Sequence, residues 1–286
     1  MSCMEKALKR WFPLFVLPTL VAFIIGFIWP FIQGVYLSFC QFITIDRTTF
    51  VGVQNYVNAF QDAEFGSAFR FTVSFAVVST ILINVLAFLL ALALTQKMRG
   101  TNIFRTVFFM PNLIGGIVLG YIWQILINAV LSNLGQPLLA LNSKAGYWGI
   151  IILMCWQQIG YMMIIYISGL QNVPGDLIEA ASIDGATPLQ TLFKIKLPMV
   201  MPSITICLFL TITNSFKLFD QNLALTAGEP AHATEMLALN IYNTFYFRAG
   251  PQWKGIGQAK AVIFFVLVVA IALIQLRATR SKEVQQ

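Results

Sequence analysis

Six uncharged polar side chains interrupt two otherwise apolar stretches and could hydrogen-bond a neutral solute. They are Gln157, Gln158, Tyr161, Thr211, Asn214 and Ser215. In each stretch two of them are spaced four residues apart, which places them on one face of a helix. Amides and hydroxyls at membrane depth need either partners on other helices or a water-filled cavity. The sequence leaves both interpretations open: a polar pathway, or bonding between helices.

Metal, redox and nucleotide chemistry is not indicated. The four cysteines, Cys3, Cys40, Cys155 and Cys207, form no C-x-x-C pair, and they are interpreted as small packing residues. His232 has no neighbouring Cys or His, so no transition-metal site is predicted. No G-x-x-x-x-G-K-[ST] sequence occurs, so the chain is not expected to hydrolyse ATP by itself.

The composition indicates which elements must position these side chains. The 286 residues are 58% hydrophobic and 10% charged, with a mean hydropathy of +0.78. These values exclude a disordered chain, a disulfide scaffold and an ordinary soluble enzyme, and they indicate an integral membrane protein. The net charge of +7 is interpreted as a topology signal rather than a nucleic-acid site, because the cations cluster at the ends of apolar runs.

Apolar runs predict an all-α membrane protein with six transmembrane helices. The predicted spans cover residues 11–39, 71–95, 106–131, 147–170, 199–216 and 261–276. The first is interpreted as a membrane helix bent near Pro30 rather than as a cleaved signal peptide. The transmembrane domain is therefore predicted as 11–276, between an N-terminal segment 1–10 and a C-terminal tail 277–286.

Both termini are predicted to be cytoplasmic. Six spans put the termini on one side, and that side carries eleven Lys and Arg residues against six on the other, with Lys217 left uncounted at the end of the fifth span. The side richer in cations should face the cytoplasm.

The segment 171–198 is predicted to form two short helices on that cytoplasmic side. Asp176 is interpreted as the N-cap of the first helix, and Gly185 as its left-handed C-cap. Thr187 then caps the second helix, with Pro188 at its first position, and Pro198 ends the unit. The result is a compact helix–turn–helix that fits a groove on another protein.

The same segment resembles the EAA signature of ABC-importer permeases. The matching residues, which the resemblance implies contact the ATPase, are Glu179, Ala180, Ala181, Asp184, Gly185, Ala186, Ile195, Leu197 and Pro198. Two features depart from the pattern usual in this family: Leu192 within the segment, and the Gly228-Glu229-Pro230 sequence after the fifth span.

Further stretches are similar to the carbohydrate-uptake branch typified by the maltose importer, and to the larger, binding-site-bearing permease of its pair. They are Ser38-Phe39, Phe50-Val-Gly-Val-Gln-Asn-Tyr56, Phe104-Arg-Thr-Val-Phe-Phe-Met-Pro111 with Trp123, Phe219-Asp220, Thr226 and Ala233-Thr234-Glu235. The resemblance covers nearly the whole chain.

The resemblance implies a type I importer permease in a bacterial cell membrane. Its implied partners are a second, homologous permease, two ATPase subunits that bind ATP and Mg, an extracytoplasmic sugar-binding protein and membrane lipid, with no nucleic acid and no cofactor on this chain. It also implies that Gln157, Gln158, Tyr161, Thr211 and Ser215 lie at or beside the sugar pathway, together with Asn112 and Gly116. Asn214 is assigned to the same pathway as the neighbour of Thr211 and Ser215.

A secondary active transporter of a neutral solute is the alternative. That class usually carries ionisable groups in its spans for ion coupling, and the predicted span interiors lack them. A channel would show a charged ring or a filter segment, and a membrane enzyme would show a nucleophile–base pair; neither pattern is present.

Overall fold

A computed structural model describes the backbone of residues 3–44, 47–96 and 100–280, and their side chains except at residues 3–10, 13 and 280. The predicted cytoplasmic cations Lys97, Arg99 and Lys282 lie outside the described residues. The side chains of Lys6, Lys9, Arg10 and Arg280 are likewise not described.

The described chain is built almost entirely of helices. In the first half they are α1 (Cys3–Phe23), α2 (Trp29–Ser38), α3 (Gln54–Gln61), α4 (Ala63–Leu94), α5 (Thr101–Phe109) and α6 (Gly116–Asn133). In the second half they are α7 (Ser143–Gln171), α8 (Gly175–Ile183), α9 (Pro188–Thr191), α10 (Leu197–Met199), α11 (Met201–Phe216), α12 (Asp220–Leu225), α13 (Leu237–Tyr246) and α14 (Gln252–Arg280). A short antiparallel pair, β1 (Cys40–Phe42) and β2 (Thr48–Phe50), adds the strands that the prediction lacked.

Among the residues that the structure describes, five helical stretches are long and apolar enough to cross a membrane, and a sixth span arises if one bent pair is counted. The bent pair joins Pro188–Met199 to Met201–Phe216 at an angle of 70°. The break falls at Val200, so helical structure continues past Pro198, which was predicted to end the unit. In the first span a π-helical turn at Ile24–Ile28 directly precedes Pro30, because proline cannot donate a backbone hydrogen bond there.

The predicted third span, 106–131, is wrong as a single helix. Its first part belongs to α5, a 3₁₀ turn follows at Met110–Leu113, and only α6 qualifies as a span. Pro111 interrupts the hydrogen-bond ladder. Gly160 of α7 also lets the backbone of Phe108 approach so closely that a Cβ at position 160 would collide with it. Asn112 therefore lies on the 3₁₀ turn rather than in the span.

The sixth helix begins earlier than predicted, at Gln252 instead of residue 261. The prediction placed Lys254 and Lys260 outside the span because a linear reading assigns cations to the membrane edge. In the structure Lys260 is 0% exposed, and its ammonium group lies 2.7 Å from a carboxylate oxygen of Asp62. A paired cation can sit on a largely apolar helix at much lower cost than an unpaired one.

The chain divides into two compact units. One comprises Met1–Asp62 and Ile241–Ile263, and the other Ala63–Asn240 and Phe264–Gln286. In the smaller unit, the Asn55 amide donates to the carbonyl oxygens of Ser38 and Cys40 at 2.9 and 2.8 Å, which ties α3 to β1. In the larger unit, α4, α7 and α11 pack around a core that includes Phe75, Ile83 and Met162. Cys40, Cys155 and Cys207 are buried free thiols, as predicted for packing residues.

Candidate functional site

A cavity of about 310 Å³ opens in the larger unit where α7, the end of α11 and the start of α12 meet. Five of its eight lining residues are polar or charged, which is unusual in a domain dominated by apolar side chains. The lining residues are Met154, Gln158, Asn214, Lys217, Leu218, Phe219, Asp220 and Gln221. Of the pathway residues predicted from the sequence, Gln158 and Asn214 line this cavity directly.

The connection between α11 and α12 shapes one wall of the cavity. Helix α11 ends at Phe216, and the Lys217 N–H donates to the Thr213 carbonyl oxygen at 3.1 Å. Leu218 is buried and anchors the connection. Gly116 packs so closely on α12 that a Cβ there would lie 2.8 Å from Asp220 Cβ and 2.9 Å from Gln221 Cδ. The predicted residue Gly116 therefore positions two cavity-lining residues by having no side chain.

Gln157 does not line the cavity, but it holds the lining residue Gln221 in place. Its amide nitrogen donates to the Ile114 carbonyl oxygen at 3.2 Å, and its oxygen accepts from Gln221 Nε2 at 2.7 Å. Both Gln157 and Gln221 are buried. The neighbouring Gln158 differs, because its Oε1 is buried without a hydrogen-bond partner among the described residues. Gln158 thus lines the cavity with an amide whose oxygen is not used by the fold, while Gln157 fixes the wall.

Two predicted residues border the region without lining the cavity. Tyr161 is half-buried, and its ring centroid lies 6.4 Å from that of Phe109. Asn112 is half-buried on the 3₁₀ turn between α5 and α6. Neither is a lining residue of the cavity described above.

Thr211 and Ser215 point into the packed core of the larger unit. Asn84 Nδ2 donates to Thr211 Oγ1 at 2.9 Å, and the Tyr166 hydroxyl donates to Asn84 Oδ1 at 2.6 Å. The Ser215 hydroxyl lies 3.0 Å from that of Ser79. Both predicted residues are fully buried. In this conformation they bond α11 to α4, which is the second of the two interpretations open at the start.

The predicted helix–turn–helix is present at 171–198. Gly185 has φ +78°, its N–H donates to the Ser182 carbonyl oxygen at 3.2 Å, and the Ala186 N–H donates to the Ala181 carbonyl oxygen at 2.9 Å. This is a Schellman C-cap. Thr187 caps α9 through a reciprocal capping box with Gln190, with Pro188 in the first turn.

The first cap of that segment was predicted wrongly. Helix α8 begins at Gly175 after Pro174, and Asp176 lies inside its first turn rather than at the N-cap. An acidic residue there still favours the helix through the macrodipole. Of the signature residues, Ala181 is buried, whereas Ala186, Ile195, Leu197 and Pro198 are half-buried. The exposed ones are Glu179, Ala180, Asp184 and Gly185.

One side-chain cluster was not visible in the sequence. Ligand atoms of Glu64, His232 and Glu235 lie within 4.8 Å of one another. Glu64 is remote from His232 along the chain, so the sequence around His232 does not indicate the cluster. The buried Glu235 carboxylate already accepts a hydrogen bond from Asn240 at 3.0 Å and lies 3.3 Å from His232 Nδ1. The absence of a metal site stays a prediction.

Comparison with known proteins decides the family. Residues 100–281, which hold both the cavity and the helix–turn–helix, match the family described as "Binding-protein-dependent transport system inner membrane component". This chain belongs to that family. The permease is therefore a multi-pass inner-membrane protein and not an enzyme, as predicted. Permeases of this family typically bind no cofactor.

Two relatives and one solved structure match this chain over nearly its full length. The permease is 43% identical to the probable starch degradation products transport system permease protein AmyD of Thermoanaerobacterium thermosulfurigenes, with 96% of each chain covered. It is 30% identical to the multiple sugar-binding transport system permease protein MsmF of Streptococcus mutans, covering 96% of this chain and 97% of MsmF. A bacterial ABC transporter involved in importing the acidic polysaccharide alginate shares its fold, with a TM-score of 0.81, 21% identity and coverage of 98% and 99%.

The two glutamines provide a matched test of the site. We expect Gln158→Leu to reduce solute transport at least severalfold while the complex assembles normally, because only a solute-facing amide is lost. Gln157→Leu leaves the buried Gln221 amide and the Ile114 carbonyl unpaired, at a cost of about 1–3 kcal/mol each. We expect it to lower the yield of assembled complex as well. Uptake and complex yield are measured for both variants. Failure of Gln158→Leu to assemble, with normal assembly of Gln157→Leu, would contradict this arrangement.

Proposed function

We propose that this permease carries sugars or oligosaccharides across the cell membrane as part of an ATP-driven importer. The cavity is the observation that supports the proposal most strongly, since its lining offers amides, a hydrogen-bond donor (Lys217) and an acceptor (Asp220) that suit a polyhydroxylated solute. The sugar-related names of AmyD and MsmF point the same way. The similarity to the larger permease of the maltose-importer pair suggests that this chain supplies the sugar-contacting half of the pathway.

The proposed partners are a second, homologous permease, two ATPase subunits and an extracytoplasmic binding protein. The helix–turn–helix is the proposed ATPase dock, because three large apolar side chains there are mostly exposed: Ile183 by 86%, Leu189 by 67% and Phe193 by 62%. Exposed apolar side chains clustered on one segment mark an interaction surface. The chain has no Walker A sequence, so ATP hydrolysis belongs to the partners.

The proposal is tested by the ATPase activity of the complex reconstituted in proteoliposomes with its binding protein. A panel of neutral and acidic oligosaccharides should contain members that stimulate ATP hydrolysis severalfold, and only when the binding protein is present. Transport without any ATPase subunit would instead support a secondary transporter.

Orientation gives a further prediction: the helix–turn–helix faces the cytoplasm. An impermeant maleimide should label Lys144→Cys in intact cells, because Lys144 is exposed on the side predicted to be outside. Ala180→Cys should be labelled only after permeabilisation of cells lacking the ATPase subunit. Ready labelling of Ala180→Cys in intact cells would contradict this topology and indicate the opposite orientation.

A further inference from the structure

Two residues of opposite charge line the cavity without forming an ion pair among the described residues. Lys217 and Asp220 are both exposed and both line the cavity. They do not pair with each other, and neither forms an ion pair elsewhere in the part of the chain that the structure describes. Both charges are therefore available to a solute that enters the cavity.

We propose that Lys217 and Asp220 are specificity-determining residues that make the cavity select a neutral, hydroxyl-rich sugar over an anionic one. This inference rests on the proposed function and narrows its substrate class. It adds two residues that the sequence reading left out of the pathway.

The chemistry of the two groups supports selection for neutral sugars. The Lys217 ammonium group only donates hydrogen bonds, and the Asp220 carboxylate only accepts them. A sugar hydroxyl does both, so one neutral sugar can satisfy both charges through charge-assisted hydrogen bonds.

An anionic sugar meets a conflict in the same space. Its carboxylate or phosphate would be attracted to Lys217 but repelled by the Asp220 carboxylate, which lines the same cavity of about 310 Å³. The two charges sum to zero, so the cavity offers an anion no net attraction.

The position of Asp220 is built into the fold rather than left to a mobile loop. Gly116 of α6 lies against the Cβ of Asp220, and the next residue, Gln221, is bonded to the buried Gln157. The buried Leu218 fixes the connection between the two charged residues. The relative placement of the charges is therefore reproducible enough to discriminate between solutes.

The test measures binding of two matched probes to the whole transporter complex in nanodiscs, with the binding protein omitted. The probes are maltotriose, which is neutral, and maltotrionate, in which the reducing end is oxidised to a carboxylate. Saturation-transfer NMR reports weak binding of each. The variants are Asp220→Asn, Lys217→Gln and their combination, with Lys144→Gln as a control that removes an exposed cation outside the cavity.

We expect the wild type to prefer maltotriose by about tenfold, because the anion loses hydration on entering a cavity whose two charges give it no net attraction in return. Asp220→Asn should abolish that preference by strengthening maltotrionate binding, and Lys217→Gln should widen it. The double variant should bind both probes weakly, and Lys144→Gln should behave as wild type. An unchanged preference in Asp220→Asn, with maltotriose still bound, would overturn the charge assignment alone. Failure of every member of the oligosaccharide panel to stimulate ATP hydrolysis by the wild-type complex would overturn the proposed function with it.

Discussion

The Gly185→Val variant is expected to lose ATP-driven sugar uptake completely. Gly185 adopts φ +78°, a backbone conformation that a β-branched residue resists at a cost of about 1–3 kcal/mol. Relieving that strain breaks the Schellman cap and changes the angle between α8 and α9. In the proposed docking, the exposed apolar side chains of both helices meet one ATPase surface, so a changed angle should uncouple the two proteins.

Two companion variants separate backbone strain from loss of contact. Asparagine tolerates the left-handed conformation, and no described atom lies within 4 Å of a Cβ built at Gly185, so Gly185→Asn should keep most of the uptake. Glu179 is exposed and makes no hydrogen bond among the described residues, so Glu179→Ala should reduce uptake without altering the fold. Uptake and ATPase copurification are measured for each variant. Normal uptake by Gly185→Val would refute the assignment of this segment to ATPase coupling.

The largest stability effect is expected at Asp62, in the smaller unit. Its carboxylate lies 2.7 Å from Lys260 Nζ and 2.7 Å from Arg248 Nη1, and Lys260 Nζ also donates to Thr244 Oγ1 at 2.7 Å. Asp62→Ala removes a negative charge that lies 2.7 Å from a fully buried ammonium group. Breaking a buried pair from one side costs about 3–5 kcal/mol.

Matched variants identify the cause of that loss. Arg248→Gln should destabilise much less, because Asp62 and Lys260 remain paired and Arg248 is partly exposed. The double variant Asp62→Ala/Lys260→Met should recover much of the stability, because both charges are gone. Thermal unfolding of the purified permease in detergent measures all three. A double variant no more stable than Asp62→Ala would show that the buried charge of Lys260 is not the cause.

Lowering the pH should weaken the same interactions of Asp62 with Lys260 and Arg248. Burial by itself would raise the pKa of Asp62, but the hydrogen bonds and charges of Lys260 and Arg248 outweigh it and hold the pKa below its ordinary value of 3.8. A lowered pKa in the folded state stabilises the protein above pH 3.8, and the stabilisation is lost as the pH falls below that value. The stability difference between wild type and Asp62→Ala should therefore narrow below about pH 4.

The sequence was sufficient for features that depend on local chemistry. Apolar runs long enough to span a bilayer identified the membrane helices, and the glycine, threonine and proline at 185, 187 and 188 identified the turn between α8 and α9. These signals act within a few residues of their own positions, so no knowledge of distant contacts was required.

Features that depend on distant residues could not be predicted in the same way. The true start of α14 depends on Asp62, which neutralises Lys260 from a remote part of the chain. The break before α6 depends partly on the close approach of α5 to Gly160. Lys217 and Asp220 gained significance only when the fold placed them in one cavity with Gln158. Conversely, Thr211 and Ser215 share a helix face with the right spacing, but that face meets α4.

The most direct test of the proposed transport function is uptake of radiolabelled maltotriose into proteoliposomes that contain the complete complex, with the binding protein outside them and ATP on the ATPase side. We predict accumulation above the external concentration with ATP, and none with ADP or without the ATPase subunits. Accumulation that proceeds without the ATPase subunits and follows an ion gradient would contradict the account.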